Sequence, residues 1–184
     1  MRGNVSVKPA MYIVLPAAML LLPLRWVLAW IVAVAVHELG HYIALRLCRV
    51  PVYALEIAPT GVKMTTGELR GREALLCALA GPIFGLSLTF FAKFIPCTAF
   101  CGFLQGMFNL LPIYPLDGGR ALRAVLQKIC RNPGGIETGI AIILAIGLVI
   151  LGLYVKIGII WLLIFLFIFL QKFLAKDAES RYNR

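Results

Sequence analysis

Residues 26–47 read WVLAWIVAVAVHELGHYIALRL, and this stretch decides what kind of protein the chain forms. A helix needs about 20 mainly apolar residues to cross the hydrocarbon core of a bilayer, so the stretch is predicted to span a membrane. Near its carboxyl-terminal end, however, it carries His37, Glu38 and His41. Ionisable side chains are costly at membrane depth, and those that occur there usually serve a function.

These three side chains form the pattern H-E-x-x-H. Side chains four residues apart lie on one face of a helix, so both imidazoles can hold one zinc ion. Glu38 is then placed to accept a proton from the attacking water. A pair of core histidines beside a buried glutamate is the alternative, but His37 and His41 are the only histidines in the chain and both lie in the predicted span. The motif therefore predicts metal-dependent hydrolysis.

The composition of the whole chain agrees with a membrane protein. Of 184 residues, 61% are hydrophobic and 14% are charged, whereas soluble domains have about 25% charged residues. The net charge of +10 would suggest a nucleic-acid partner if the protein were soluble. Here the basic residues lie at the ends of apolar runs, and no nucleic-acid-binding motif is present. We expect no nucleic-acid partner and a single membrane-embedded domain over residues 1–184.

Apolar segments divide the chain into six predicted transmembrane helices. With alternating spans and a cytosolic amino terminus, only Arg25, Lys93 and Lys156 of the 18 Lys and Arg residues lie outside. Such a bias is typical of a multi-pass protein, so we expect a bacterial cell-membrane protein with both termini in the cytosol. The six-span core covers 10–174 and a cytosolic tail covers 175–184. The segments are 10–24, 26–47, 74–92, 99–116, 137–155 and 157–174.

The stretch 49–70, RVPVYALEIAPTGVKMTTGELR, differs from the predicted spans. Apolar and polar residues alternate in it, Val, Thr and Tyr are frequent, and a turn is indicated at Pro59-Thr60-Gly61. This pattern predicts a β-hairpin that lies on the cytosolic side or dips into the membrane, and an ordinary connecting loop is the alternative. The predicted fold class is all-α integral membrane, with six transmembrane helices and this short hairpin or re-entrant segment.

Glycines and cysteines inside the predicted spans are interpreted as packing residues. Two glycine pairs have the G-x-x-x-G spacing that lets helices approach closely in lipid. The five cysteines behave as small hydrophobes, although Cys97 and Cys101 could pair on the outer face. The glycine pairs are Gly81 with Gly85 and Gly102 with Gly106.

A third metal ligand is needed, because catalytic zinc usually has three protein ligands and one position for water. The candidate is Asp117 at the inner end of segment four, since the other aspartate, Asp177, lies in the tail. Segments two and four run in the same direction, so Asp117 reaches the same membrane level as the histidines. Pro112 and Pro115 should end the helix just before it, and broken backbone at that depth can line a cavity that admits water.

These motifs resemble those of the site-2 protease family of intramembrane metalloproteases, and most of all the branch of stage IV sporulation protein FB. Residues 37–41 resemble the zinc helix of that family, and residues 109–119, NLLPIYPLDGG, resemble its second motif. Ala80-Gly81-Pro82 is similar to a further family feature. The likeness covers residues 10–174.

The resemblance implies a role for each motif residue. His37, His41 and Asp117 would bind zinc, and Glu38 would be the catalytic acid and base. Asn109 would hold the substrate or its developing oxyanion.

The resemblance also implies a substrate. The expected activity is hydrolysis of membrane-spanning or membrane-tethered proteins, with pro-sigma factor processing in sporulation as one form of it. The stretch 49–70 would pair with an unwound substrate strand, and regulatory membrane proteins are further expected partners besides the lipid bilayer. Members of this branch often carry a carboxyl-terminal CBS domain, and we expect none here.

Other functions use similar residues. A metal transporter or a metal-binding membrane scaffold could use the same ligands, but it would not need Glu38 as a proton acceptor. A serine protease is disfavoured because no serine lies in a G-x-S-x-G motif. An aspartyl mechanism needs two membrane aspartates, and only Asp117 qualifies.

Overall fold

The computed structural model describes residues 4–58, 61–130 and 133–154 and is mostly helical, with one small sheet. A 3-10 turn, Leu88–Phe91, directly follows the helix Arg72–Ser87. The elements in chain order are β1 (Asn4–Val7), α1 (Met11–Leu21), α2 (Leu24–Leu47), β2 (Val52–Ala58), β3 (Gly61–Thr66), α3 (Arg72–Ser87), α4 (Pro96–Asn109), α5 (Asp117–Ile129) and α6 (Pro133–Tyr154).

Helix α2, which carries the H-E-x-x-H motif, packs against both α3 and α4. Its buried face is built from small residues, with Ala29 and Ala33 packed against Leu88 and Cys101. Farther along the helix, a Cβ atom on Gly40 would lie 2.6 Å from the carbonyl oxygen of Ala80 in α3. Small residues allow helices to approach this closely. The H-E-x-x-H motif therefore lies where α2 and α3 are nearly in backbone contact.

Three of the four paired glycines, Gly85, Gly102 and Gly106, lie at the contact between α3 and α4, whereas Gly81 faces His41 of α2. A Cβ atom on Gly102 would be 2.6 Å from the carbonyl oxygen of Gly85, and one on Gly106 would be 2.7 Å from Leu86 Cγ. Larger side chains at Gly102 and Gly106 would force the helices apart. The pair Gly102 and Gly106 thus marks a close helix contact, whereas Gly81 and Gly85 do not act as a pair there.

The cysteines of this region, Cys97 and Cys101, are both free thiols.

The predicted hairpin is present as β2 and β3, which pair antiparallel. The parallel strand β1 adds to the other side of β2, so the sheet order is β1-β2-β3. Strand β1 was not predicted from the sequence, because it is four residues long and its pairing partner lies about fifty residues away in the chain.

The chain reverses its direction at the end of α2, so that the hairpin runs back along the helix. Val50 N–H donates to the carbonyl oxygen of Leu45 at 2.9 Å, and Arg49 N–H donates to that of Arg46 at 3.1 Å. Arg49 has φ 58, so the pattern is a Schellman motif with the left-handed residue that such a turn requires. The side chains of Leu45 and Val50 are buried together with Cys77. The chain consequently reverses at Cys48–Val50 and lays the hairpin against the carboxyl-terminal half of α2.

The predicted number of membrane spans is only partly matched. In the described part of the chain, two helical segments are long and apolar enough to cross a membrane, Leu24–Leu47 and Arg72–Phe91. Helix α1 has 11 residues and α4 has 14. Pro23 ends the apolar run of α1, and the loop that contains Pro112 ends that of α4. The predicted sixth span, 157–174, lies outside the described residues.

Apolar side chains nevertheless cover the outside of the helices. Leu20, Leu21 and Phe90 are 87%, 81% and 86% exposed. Large exposed apolar patches indicate contact with a membrane or a partner. A lipid environment accounts for their presence on several helices at once.

Candidate metal centre

The side chains of His37, His41 and Asp117 converge on one point. The Nε2 atom of His37 lies 3.1 Å from Asp117 Oδ2, the Nε2 atom of His41 lies 3.2 Å from the same oxygen, and the two Nε2 atoms are 3.2 Å apart. His37 is 2% exposed and Asp117 is 6% exposed. Three potential ligand atoms thus form a nearly equilateral triangle in a buried position.

The triangle fits a tetrahedral metal ion. Zinc ligands lie about 2.0–2.1 Å from the metal, so two ligand atoms of a tetrahedron are about 3.3–3.4 Å apart. The spacing observed here is only slightly smaller, and two imidazole nitrogens with one carboxylate oxygen are a donor set that zinc accepts. The cluster can therefore hold a divalent cation.

The orientation of His41 is set by the backbone of α3. Its Nδ1 atom lies 2.7 Å from the carbonyl oxygen of Cys77, which can only accept a hydrogen bond, so Nδ1 carries the proton. The Nε2 lone pair is then available to a metal, as in most histidine ligands. His37 lacks such a support, because its buried Nδ1 atom has no hydrogen-bond partner among the described residues.

Gly81 provides the space for the His41 ring. A Cβ atom added to Gly81 would overlap the ring nitrogen Nε2. One turn later, a Cβ atom on Gly85 would meet its nearest neighbours at 3.5 Å, which is an ordinary contact. The glycine in Ala80-Gly81-Pro82 is therefore required by the ring of a candidate ligand, whereas Gly85 is not.

We expect Gly81→Ala to lower zinc affinity by about 10- to 100-fold, which is the usual effect of removing a group that orients a metal ligand. The methyl group must push the His41 ring away from the cluster. Zinc titration of the purified variant measures the effect, and circular dichroism checks that the helices remain. Gly85→Ala is the matched control and should bind zinc like the wild type. Wild-type zinc affinity in Gly81→Ala would contradict this account of the ring.

Asp117 is the first residue of α5, which corrects the prediction that it ends the fourth span. The loop between α4 and α5 folds closely onto the start of α5. A Cβ atom on Gly118 would overlap the carbonyl oxygen of Leu110, and one on Gly119 would overlap the backbone nitrogen of Tyr114. The two glycines thus allow the loop to lie against the helix, and this contact aims Asp117 at the histidines.

The same loop is attached to α6 through Arg123. Its guanidinium makes a bidentate pair with Glu137, with contacts of 2.9 to 3.2 Å, and lies 4.2 Å from the ring centre of Tyr114. The Glu137 side chain is only 6% exposed. Because the Arg123 side chain is 32% exposed, breaking this pair should cost less than the about 3–5 kcal/mol that is typical of a fully buried pair. The pair therefore ties α5, α6 and the loop before Asp117 into one unit.

Glu38 contacts the hairpin instead of the three ligands. Its Oε1 atom accepts a hydrogen bond from the backbone N–H of Val62 at 3.2 Å. The backbone of Gly61, with φ 125, also lies against this carboxylate. No sequence pattern could have identified Val62, because its contribution is a backbone group.

Asn109 is the last residue of α4 and is half-buried. No hydrogen bond joins its side chain to the metal cluster within the described ranges. Its role in holding substrate therefore stays a prediction.

Comparisons with known proteins point to one family. Residues 88–154 match the model of Peptidase family M50, a range that includes Asp117 but not the histidines. A zinc metalloprotease of Methanocaldococcus jannaschii is 30% identical over 111 residues, which cover 53% of this chain and 33% of that protein. Rip3 of Mycobacterium tuberculosis, provisionally named a zinc metalloprotease, is 33% identical over 177 residues, covering 80% of this chain and 44% of that protein.

The chain therefore spans less than half the length of these curated relatives. A site-2 protease from Methanocaldococcus jannaschii shares its fold with a TM-score of 0.63 at 24% sequence identity. That comparison covers 89% of this chain and 84% of the solved one.

Proposed function

Because the chain belongs to the site-2 protease family, Peptidase family M50, we propose that it is a zinc-dependent peptidase that cuts membrane-spanning or membrane-tethered proteins. The observation that carries the proposal is the buried triangle of His37, His41 and Asp117 beside Glu38. These side chains come from two helices, and Asp117 is 76 to 80 residues away from the two histidines in sequence. A core packed for stability alone would not require two imidazoles and a carboxylate to meet there.

Each candidate residue has one task in this proposal. His37, His41 and Asp117 hold zinc, which supplies a Lewis acid that makes water nucleophilic near neutral pH. Glu38 accepts a proton from the attacking water and returns it to the amine of the leaving fragment. Asn109 donates a hydrogen bond to the substrate carbonyl or to the charge that develops on it.

The hairpin provides a surface for an extended substrate in the same proposal. Strand β3 is the last strand in the order β1-β2-β3, so one of its edges is not paired within the sheet. An unwound substrate segment can add to such an edge through backbone hydrogen bonds. Pairing of this kind would place the scissile bond beside the metal centre, because the edge reaches Glu38 at Val62.

The more specific parts of the function are also proposals. We propose a single membrane-embedded domain over residues 1–184, with regulatory membrane proteins as partners. Pro-sigma factor processing in sporulation is the substrate class suggested by the likeness to stage IV sporulation protein FB.

The direct test is cleavage by the purified protein of a single-span substrate in detergent or in vesicles. We expect cleavage that stops when zinc is removed by a chelator and returns when zinc is added. The same vesicles, loaded with a zinc indicator, measure transport. Zinc flux without cleavage of any candidate substrate would support the transporter reading and contradict the protease.

We propose that the chain crosses a bacterial cell membrane several times with both termini in the cytosol. The two short helices, α1 and α4, can be accommodated by local thinning of the bilayer. Reporter fusions after Lys93 and Lys156 should then read as external, and fusions near Arg70, Arg131 and Arg184 as cytosolic, as the distribution of basic residues predicts. A cytosolic signal at Lys93 would contradict this topology.

A further inference from the structure

We infer that the backbone N–H of Val62, at the start of β3, is a positioning group that holds the Glu38 carboxylate for its proton transfer. The inference rests on the proposed peptidase function and adds to it a residue that no motif contains. It starts from the hydrogen bond of 3.2 Å between Val62 N–H and Glu38 Oε1.

The sheet leaves this donor available to Glu38. Strand β3 has one paired neighbour, β2, and Val62 lies opposite Ile57 in that pairing. The N–H groups of successive residues in an antiparallel strand point alternately to its two sides. Since Val62 N–H reaches α2, it points away from β2, and Met64 N–H two residues later points to the same edge.

The hairpin has the length and attachment to bring Val62 to this place. Glu38 lies nine residues before Leu47, which is about 13–14 Å along the helix. Strand β2 has seven residues and is therefore about 23 Å long at 3.2–3.4 Å per residue. A hairpin that reverses at the end of α2 can thus reach the level of Glu38, and β1 supports it from the opposite side.

One carboxylate oxygen of Glu38 accepts a hydrogen bond, and the other remains available for proton transfer. Oε1 accepts the Val62 hydrogen bond, whereas Oε2 makes no hydrogen bond to any described residue. A glutamate side chain that is free to rotate must lose considerable rotamer entropy before it can act. The Val62 N–H removes this freedom in advance and leaves Oε2 to take the proton. Gly61 contributes by its size, because a Cβ atom there would lie 3.4 Å from Oε1 at a φ that disfavours other residues.

The contact also defines where a substrate strand would begin to pair. Val62 N–H is used by Glu38, so Met64 is the first edge donor that a substrate backbone can use. The two positions therefore have different roles although they lie on the same edge. Val62 should affect the chemical step, and Met64 should affect substrate binding.

Proline substitutions separate these roles. Val62→Pro removes the donor without removing a bond to β2, and an edge position tolerates proline. We expect kcat to fall about 10- to 100-fold, the range for a hydrogen bond to a charged group, with KM and zinc content retained. Met64→Pro should instead raise KM and keep kcat. Val62→Ala retains the N–H and should retain most of kcat. Equal kcat losses in the two proline variants, or a wild-type kcat in Val62→Pro, would overturn the inference.

Hydrogen exchange tests the contact without any proteolysis. Glu38→Ala removes the acceptor and should speed amide exchange at Val62, whereas Glu38→Gln keeps an oxygen acceptor and should not. Equal exchange in these two variants and the wild type would overturn the inference. If the wild type fails to cut any substrate but the exchange difference is found, the proposed function fails and the contact stands.

Discussion

Glu38→Gln should abolish proteolysis while leaving both the fold and the zinc in place. Glutamine has nearly the shape of glutamate and can still accept the hydrogen bond from Val62 N–H. It cannot accept a proton from the attacking water, so the nucleophile does not form as it attacks. Removing such a group costs about 10²- to 10⁴-fold in rate. The measurement is cleavage of a co-expressed membrane-tethered substrate, together with zinc content of the purified variant.

The controls for this variant distinguish loss of chemistry from loss of structure. Asn109→Ala removes a proposed substrate contact on α4 and should reduce cleavage less than Glu38→Gln, because the metal centre and its base are unchanged. Wild-type cleavage by Glu38→Gln would contradict the metallopeptidase mechanism. The transporter or scaffold function would then be favoured, since neither needs a proton acceptor at this position.

His41→Ala should eliminate stoichiometric zinc binding. The wild type should bind about one zinc ion per chain, because His37, His41 and Asp117 supply the three protein ligands that a catalytic zinc ion usually has. Removing His41 leaves one imidazole and one carboxylate, which are too few to hold the ion against dilution. The measurement is elemental analysis of the purified wild type and variant after dialysis.

A second ligand variant gives the matched comparison. Asp117→Asn keeps the size of the side chain but removes the negative charge, so it should also lose zinc although α5 still forms. Full zinc occupancy in His41→Ala would show that the ion, if present, is bound elsewhere. Loss of zinc in both variants with retained helical content would support the site formed by α2 and α5.

Prediction from the sequence was most successful where residues close together in the chain decide the outcome. The helix around His37 and His41 follows from an apolar run of the right length, and the β-hairpin follows from alternation around a turn. Prediction was least successful for α1 and α4, where apolar character extended beyond the helices. There, Pro23 and the loop after Asn109 end the helices earlier than hydropathy indicates.

Contacts between distant segments could not be predicted in the same way. Strand β1 pairs across about fifty residues of chain, and α5 begins at Asp117 because Gly118 and Gly119 let a loop pack against it. Both depend on which backbone surfaces meet in three dimensions. The ion pair of Arg123 with Glu137 is of the same kind, since neither residue indicates its partner in the sequence.

By itself, the sequence determined the chemistry available to this protein: two imidazoles on one helix face with a carboxylate beside them, in a chain with an apolar composition. Residue type and helical period are sufficient for that. Only the tertiary structure decided how the groups are used. It brought Asp117 to 3.1 Å from His37, oriented His41 through the Cys77 carbonyl, and placed Val62 N–H on Glu38. Asp117 was expected from the sequence as the third ligand, but its distance to His37 was not. The other two contacts use backbone atoms that every residue possesses, so no local pattern of side chains could encode them.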